Sequence, residues 1–374
     1  MTKKLYLCKK ADRAASICVT AAFLTVCVCL LIMPGASIEG AKDGLNYSFG
    51  VLVPSLFPFM FLSHFAVEYG ISQRLAPALR GITEKLFYLP GEAGVTILLS
   101  FIGGFPVGAS GINSLIKENK ITQSQAKRML CFCVNSGPAF MISVIGIQLY
   151  NNVILGVVLL ISQILASIAV GILLGMLARK KEPIQRSVKT DTCVRRDFAT
   201  AFISACTDAC KSTVNLCALV ILFSTLTGII SDGFKLSEDS LIYSIVNSLL
   251  EVTSGCSALA DDRAPLYWVA MAVGWSGISV HFQIFSAANN VRVNKAVFWL
   301  FRLINGSVSA AAVYIITRFI KQDSEVFSNI TETSSTLSSS TFYGSLALFC
   351  ASILFLIFIH TYMRASDKKL MQLN

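Results

Sequence analysis

Charge is what this chain has least of. Only 14% of its 374 residues are Asp, Glu, Lys or Arg, against roughly 25% in an ordinary soluble domain, which excludes a surface wetted on all sides. The sequence also has no Gly-Lys-Ser phosphate loop, no nucleophile elbow and no His-Glu-x-x-His metal motif. With those missing, the expectation is a protein that is not an enzyme and that carries no cofactor and no metal. An ATP-driven pump needs a soluble nucleotide domain, and the longest inner loop, residues 179–211, is far below the roughly 100 residues such a domain takes. The twelve cysteines mostly sit in apolar stretches, as at Cys27, Cys29, Cys131, Cys133, Cys217 and Cys350. They lack the paired spacing of a zinc site, so they read as small apolar residues.

What the chain has in quantity is apolar sequence. Hydrophobic residues make up 54% of it and the mean hydropathy is +0.67. Residues 14–33, 153–177, 214–230 and 342–362 reach or approach the roughly 20 apolar residues that cross a bilayer core. The fold class is therefore an all-α polytopic membrane protein. The first run follows a basic head of Lys3, Lys4, Lys9, Lys10 and Arg13. It is longer than the 7–15 residues of a signal-peptide core, and is read as a retained first span. The net charge of +10 gathers in alternate loops, the signature that sets orientation in a membrane and not one of nucleic-acid binding.

Span length and loop charge together lay the chain across a bilayer. Residues 14–33 lead out, past a nearly neutral loop at Lys42 and Asp43, and 47–69 return to Arg74, Arg80 and Lys85. Residues 93–116 are apolar but interrupted by Gly103, Gly104, Pro106, Gly108 and Gly111. Both flanks of that segment prefer the inside, so it reads as a re-entrant hairpin. Spans 129–150 and 153–177 follow, then the basic loop with Arg179, Lys180, Lys181, Arg186, Lys189, Arg195, Arg196 and Lys211. Span 212–230 exits to acidic flanks, and 240–259 reads as a second hairpin entering from outside. Spans 265–288 and 296–320, a Ser/Thr-rich outer loop at 323–341 and span 342–362 complete the count. That makes about eight transmembrane helices plus two re-entrant hairpins, with both termini in the cytoplasm of a bacterial cell.

Two motifs repeat across this layout. Gly103-Gly104-Phe105-Pro106-Val107-Gly108-Ala109 precedes Asn135-Ser136-Gly137-Pro138 in the first half. Glu251-Val252-Thr253-Ser254-Gly255-Cys256 precedes Trp275-Ser276-Gly277-Ile278-Ser279-Val280-His281 in the second. Broken apolar segments at corresponding places in two oppositely oriented halves point to an inverted repeat around a central transport site. The implied domains are 1–44, a basic head and first helix; 45–178, the first repeat; 179–211, the basic loop; 212–320, the second repeat; and 321–374, an outer loop and last helix.

In this order and spacing, Gly-Phe-Pro-Val-Gly-Ala, Asn-Ser-Gly-Pro, Glu-Val-Thr-Ser-Gly and Trp-Ser-Gly-Ile-Ser-Val-His-Phe-Gln resemble the YlbJ family of sporulation integral membrane proteins. These belong to the nucleoside-recognition, or Gate, domain proteins of spore-forming bacteria, and the resemblance covers residues 45–316. It implies an architecture similar to concentrative nucleoside transporters and a role in moving dipicolinic acid across the outer forespore membrane. Family members often carry Gly-Tyr-Pro, Thr-Asn-Gly and His-Ala-Gln where this chain has Phe105, Ser254 and Phe282. The missing amide at Ser254 changes a polar contact.

Dipicolinate is a small planar dianion, and helix N-termini exposed at hairpin tips and Ser-Gly breaks attract anions. The candidate substrate-binding residues are Gly104, Pro106, Gly108, Asn135, Ser136, Gly137, Thr253, Ser254, Gly255, Ser276, Gly277 and Gln283. Asn135, Ser136, Ser254 and Ser276 would donate hydrogen bonds, and Thr253 and Gln283 would orient a ring nitrogen. The competing reading makes the same residues small packing elements between helices.

Ionisable groups inside spans are functional candidates by default. Glu251 is the first choice for a group that binds a proton or Na⁺. Arg302 is its expected partner in a charge pair, or else a substrate contact. His281 lies one turn beyond the Ser-Gly break and either faces the cavity or is a hydrogen-bonded structural group. His64 and Glu68 form an i,i+4 pair without an assigned role, and the Asn329-Ile330-Thr331 sequon is given none. The expected partners are a small anionic solute, a coupling cation and membrane lipid, with a homo-oligomer compatible with the sequence. The alternatives are a cation-coupled nucleoside-type transporter and a non-transporting sporulation scaffold.

Overall fold

A computed structural model describes residues 16–17, 20–179, 197–237 and 240–322. Among these every regular element is a helix. The apolar helix α1, Thr20–Ile32, is followed by a 35-residue helical run α2, Pro34–Glu68, with Pro34 in its first turn and a π-helical turn at Ser48–Leu52. Next come α3, Ile71–Ile82, with a π-helical extension Thr83–Phe87, then α4, Gly91–Gly103, and α5, Phe105–Lys117. The short helix α6, Gln123–Leu130, opens with a capping box between Thr122 and Gln125. After an irregular stretch comes α7, Ala139–Leu149, wound as a π-helix. The second half holds α8, Val153–Arg179, α9, Phe198–Gly233, α10, Leu241–Leu250, and α11, Val252–Asp261. It closes with α12, Leu266–Trp275, α13, Gly277–Ala287, and α14, Lys295–Gln322.

Among the described residues, five helical stretches are long and apolar enough to cross a membrane. They are Pro34–Glu68, Val153–Arg179, Phe198–Gly233, Leu266–Ala287 and Lys295–Phe319. A sixth arises if the pair Arg74–Phe87 and Gly91–Gly103, bent by 89°, is one span. Of the eight spans expected, one that lies wholly within the described residues is interrupted. Span 129–150 breaks into α6, an irregular segment and α7, each too short to cross. Within 14–33 the residues described are 16–17 and 20–33, with Thr20–Ile32 helical and apolar. The basic head, loop residues 180–196, the Ser/Thr-rich loop with its sequon and span 342–362 lie outside the described residues. Leu24, Leu31, Leu165, Leu222 and Leu300 are all exposed, as side chains meeting lipid rather than water are.

Three segments read as loops are helical. Lys42 and Asp43 lie within α2, whose buried Gly40 and Gly44, four residues apart, seat it on α9. A Cβ on Gly40 would stand 2.7 Å from the Ser224 carbonyl oxygen, and one on Gly44 2.8 Å from the Ile221 Cα. Small residues at that spacing let membrane helices approach backbone to backbone. The stretch 198–211 is the first part of α9, begun by Asp197, whose carboxylate accepts the Ala199 amide at 3.2 Å. Phe198 and Phe202 pack there on Phe61, Phe65 and Tyr69 at the end of α2. The segment with Arg74, Arg80 and Lys85 is α3, packed along α4. The Arg128 guanidinium holds the turn after it through the carbonyls of Phe87 and Tyr88, at 3.3 and 2.9 Å. The boundaries expected at 44/45 and 211/212 therefore fall inside α2 and α9.

Candidate functional site

Both hairpins form where the sequence placed them, and each turns on a single residue. Gly104 sits between α4 and α5 at φ 79°, ψ −166°, a conformation open to glycine because no Cβ obstructs it. Pro106 then stands in the first turn of α5, where its missing N–H costs nothing. In the second hairpin Glu251 is extended, at φ −140° and ψ 121°, between α10 and α11. Its carboxylate folds onto its own helix, accepting the Ser254 backbone N–H at 2.8 Å and the Ser254 hydroxyl at 3.2 Å. The α11 N-terminus is thus capped by an acid, while α5 has no side-chain cap.

Each tip rests on the break of the next segment. A Cβ on Gly137 would lie 3.0 Å from the Ile102 carbonyl oxygen and 3.3 Å from the Gly104 nitrogen. A Cβ on Gly277 would lie 2.8 Å from the Val252 nitrogen and 3.1 Å from the Leu250 carbonyl oxygen. Ser276 and Gly277 both take positive φ, at 78° and 72°, which separates α12 from α13.

The two tips and the first break line one cleft, partly open to its surroundings. Of the predicted residues it takes in Gly104, Pro106, Ser136, Gly137, Thr253 and Gln283, with Glu251. Glu251, Thr253, Ser136 and Gln283 are all buried. The Ser136 hydroxyl has no hydrogen-bond partner among the described residues. The other predicted residues support this lining from behind. Gly108 packs against the Cys133 carbonyl and Gly255 against the Ser248 backbone. The Asn135 amide donates to the Phe132 carbonyl at 2.8 Å and accepts the Ser167 hydroxyl at 2.6 Å. Ser254 belongs to the Glu251 cap, and the Ser276 hydroxyl donates to the Val273 carbonyl at 3.0 Å.

The expected charge pair between Glu251 and Arg302 does not form. Arg302 is fully buried and reaches across both breaks. It donates to the Val134 carbonyl at 2.5 Å in the first and to the Ser276 hydroxyl in the second. Its guanidinium also lies over the Phe105 ring, 5.8 Å from the centroid. Glu251 instead spends its carboxylate on the α11 N-terminus, which a residue at the N-cap reaches more readily than a side chain on α14 does. His281 takes the structural role. Its Nε2 is 2.8 Å from the Trp275 carbonyl, and its ring packs edge-on against Trp275 and Phe298.

Sequence reasoning missed the apolar walls of the cleft: Leu52, Leu56 and Met60 from α2, and Leu216 and Val220 from α9. Nothing local distinguishes these from lipid-facing residues. It also missed two polar clusters that carried a readable signal, since amides inside spans are rare and purposeful. Asn305 on α14 donates to Ser167 at 3.2 Å and so joins the Asn135 network. Asn113 on α5 donates to Asn289 at 3.1 Å and accepts both the backbone and the side-chain N–H of Asn290, at 3.0 and 3.1 Å. Gln123 extends this clasp, donating to the Asn290 carbonyl at 2.8 Å and accepting the Arg292 amide at 3.0 Å.

Over 330 residues the chain is 24% identical to the sporulation integral membrane protein YlbJ of Bacillus subtilis (strain 168). The match covers 79% of this chain and 81% of that protein. No family model matches. No solved structure matches either.

Proposed function

From the assignment to the YlbJ family of sporulation integral membrane proteins, which this similarity supports, we propose that this multi-pass helical membrane protein moves a small anionic metabolite across a membrane. The solute is dipicolinic acid during spore formation, carried by alternating access without ATP and without chemical conversion. One observation carries the reading: two hairpin tips and the break in the segment after the first converge on one cleft lined by buried polar residues. Non-helical backbone at membrane depth is tolerated where it lines a cavity or is buried in protein, and helix ends meeting at a midplane site suit a translocated solute.

The inverted repeat belongs to this proposal. Both halves use the same contact, in which the glycine of the broken segment lies under the backbone of the preceding tip. On this reading the termini are cytoplasmic, the membrane is the outer forespore membrane, and the arrangement is similar to concentrative nucleoside transporters. The site takes a solute with carboxylates at the uncapped end of α5, beside the partnerless Ser136 hydroxyl. A homo-oligomer is compatible with the exposed apolar helix faces.

Glu251 supports a second reading, a cation-coupled nucleoside-type transporter, because it brings a carboxyl into a mostly apolar cleft. In either case Glu251 would bind the coupling proton or Na⁺. The test is dipicolinate entry into terbium-loaded proteoliposomes, with and without proton and Na⁺ gradients. Entry that requires the native tips supports the anion transporter. Entry of nucleosides in its place supports the second reading, and entry of neither leaves a non-transporting scaffold.

A further inference from the structure

The cleft as it stands offers an anion very little. Its one charged lining residue is Glu251, and most of the rest is apolar. The nearest buried cation, Arg302, is separated from the cleft by a single side chain, because Phe105 both lines the cleft and covers the guanidinium. Arg302 has no carboxylate among its hydrogen-bond partners, and its Nε is buried without a partner among the described residues. A buried charge with no counter-charge is costly and needs a reason to be there.

We propose that Arg302 is the anion-recognising cation of the cleft and that Phe105 screens it, so that a solute carboxylate takes the place of the ring when the first hairpin tip moves. The inference rests on the anion-transport reading and deepens it by assigning the counter-charge. Three features support it. Phe105 is the first residue of α5, directly after Gly104, whose positive φ makes this the joint of the hairpin. The hydrogen bonds of Arg302 run to the broken segments at Val134 and Ser276, and it meets the tip through the Phe105 ring. Moving the tip therefore withdraws the ring and leaves the guanidinium in place. Arginine also presents a planar fork of donors suited to a carboxylate, and the partnerless Nε leaves part of that fork free.

The test is equilibrium binding to the full-length protein in nanodiscs. The probes are dipicolinate and its neutral analogue pyridine-2,6-dicarboxamide. Phe105→Ala should tighten dipicolinate about tenfold, a gain of the size that a close buried charge contact supplies, and leave the diamide unchanged. Arg302→Gln should remove the preference for the dianion, and Arg302→Lys should keep it. If Arg302→Gln does not fold, the Phe105→Ala comparison decides alone: an equal change for both probes overturns the proposal. Wild-type protein that binds dipicolinate, with a dianion-to-diamide ratio untouched by these variants, overturns the inference alone. Wild-type protein that binds no dianion overturns the inference and the anion reading together.

Discussion

Gly277 lies under Glu251 with no room for a methyl group: a Cβ there would stand 3.2 Å from the Glu251 carbonyl carbon. Gly137 lies under Gly104 in the same manner, a Cβ there approaching the Gly104 nitrogen to 3.3 Å. In both halves a side chain at the break would push a hairpin tip away from the cleft. Gly277 carries the further constraint of φ 72°, which costs an L-residue about 1–2 kcal/mol. Gly277→Ala should therefore lower the unfolding temperature in detergent and abolish solute uptake. Gly50→Ala, at a position with nothing within 4 Å of the added Cβ, should do neither. Equal melting of the two variants would refute this account of the contact.

The seam between α2 and α9 yields a second prediction. Gly44→Leu would drive a side chain into the Ile221 backbone and Ser224, and because two long helices meet there the damage should spread along both. Overpacking of this kind costs about 1–3 kcal/mol or more. The expected readout is loss of folded protein in fluorescence-detected size exclusion, while Gly35→Leu, whose added Cβ has open space, should run as wild type.

That seam also shows how far the sequence could be read. The hairpins were legible because Gly104, Pro106 and Glu251 interrupt apolar runs, and interruptions are visible in a hydropathy pattern. The full length of α2 was not, since Gly40, Lys42, Asp43 and Gly44 read as a polar turn until the glycines are seen to face α9. The helix α3 was hidden in the same way. Arg74, Arg80 and Lys85 marked it as a loop, although Ile71, Leu75, Leu79, Ile82 and Leu86 recur at helical spacing. At the site, the residues at the tips were readable, but which of them face the cleft depends on helix rotation. Ser136 faces it, while its neighbour Asn135 turns to Ser167. The partner of Arg302 could not be read at all, because its acceptors are a backbone carbonyl and a hydroxyl.

Asn113 ties α5 to the turn between α13 and α14. Asn113→Ala leaves the solvent-accessible Asn290 amide without its acceptor, and losing a part-buried hydrogen bond of this kind costs about 0.5–1.5 kcal/mol. Amide hydrogen exchange around Asn289–Val291 should accelerate, and exchange at the α11 N-terminus should stay as in wild type. Acceleration at both would mean general unfolding and would count against a local clasp.

Glu251 caps α11 through Ser254, a role that an uncharged amide oxygen also fills. Glu251→Gln should accordingly stay within about 1 kcal/mol of wild type in stability, whereas Glu251→Leu, which cannot cap, should lose roughly 0.5–2 kcal/mol. If Glu251 also binds the coupling ion, Glu251→Gln uptake should cease to respond to imposed proton or Na⁺ gradients. Uptake by the Gln variant that still follows a gradient would confine Glu251 to its capping role.

Ser136 and Ser167 make the sharpest contrast, because both are buried hydroxyls near the first break and only one has partners. Ser167 donates to Asn135 and accepts from Asn305, so Ser167→Ala strands two buried amides and should cost about 1–3 kcal/mol. The Ser136 hydroxyl makes no hydrogen bond among the described residues, so Ser136→Ala removes an unsatisfied polar atom and should leave stability unchanged or slightly raised. The order should reverse for solute. Ser136→Ala should weaken dipicolinate binding by roughly fivefold or more, the worth of about one hydrogen bond, while Ser167→Ala protein that remains folded should bind as wild type. A Ser136→Ala variant with native stability and native binding would take the hydroxyl out of the site. One that is destabilised would mean that the hydroxyl has a partner within the protein.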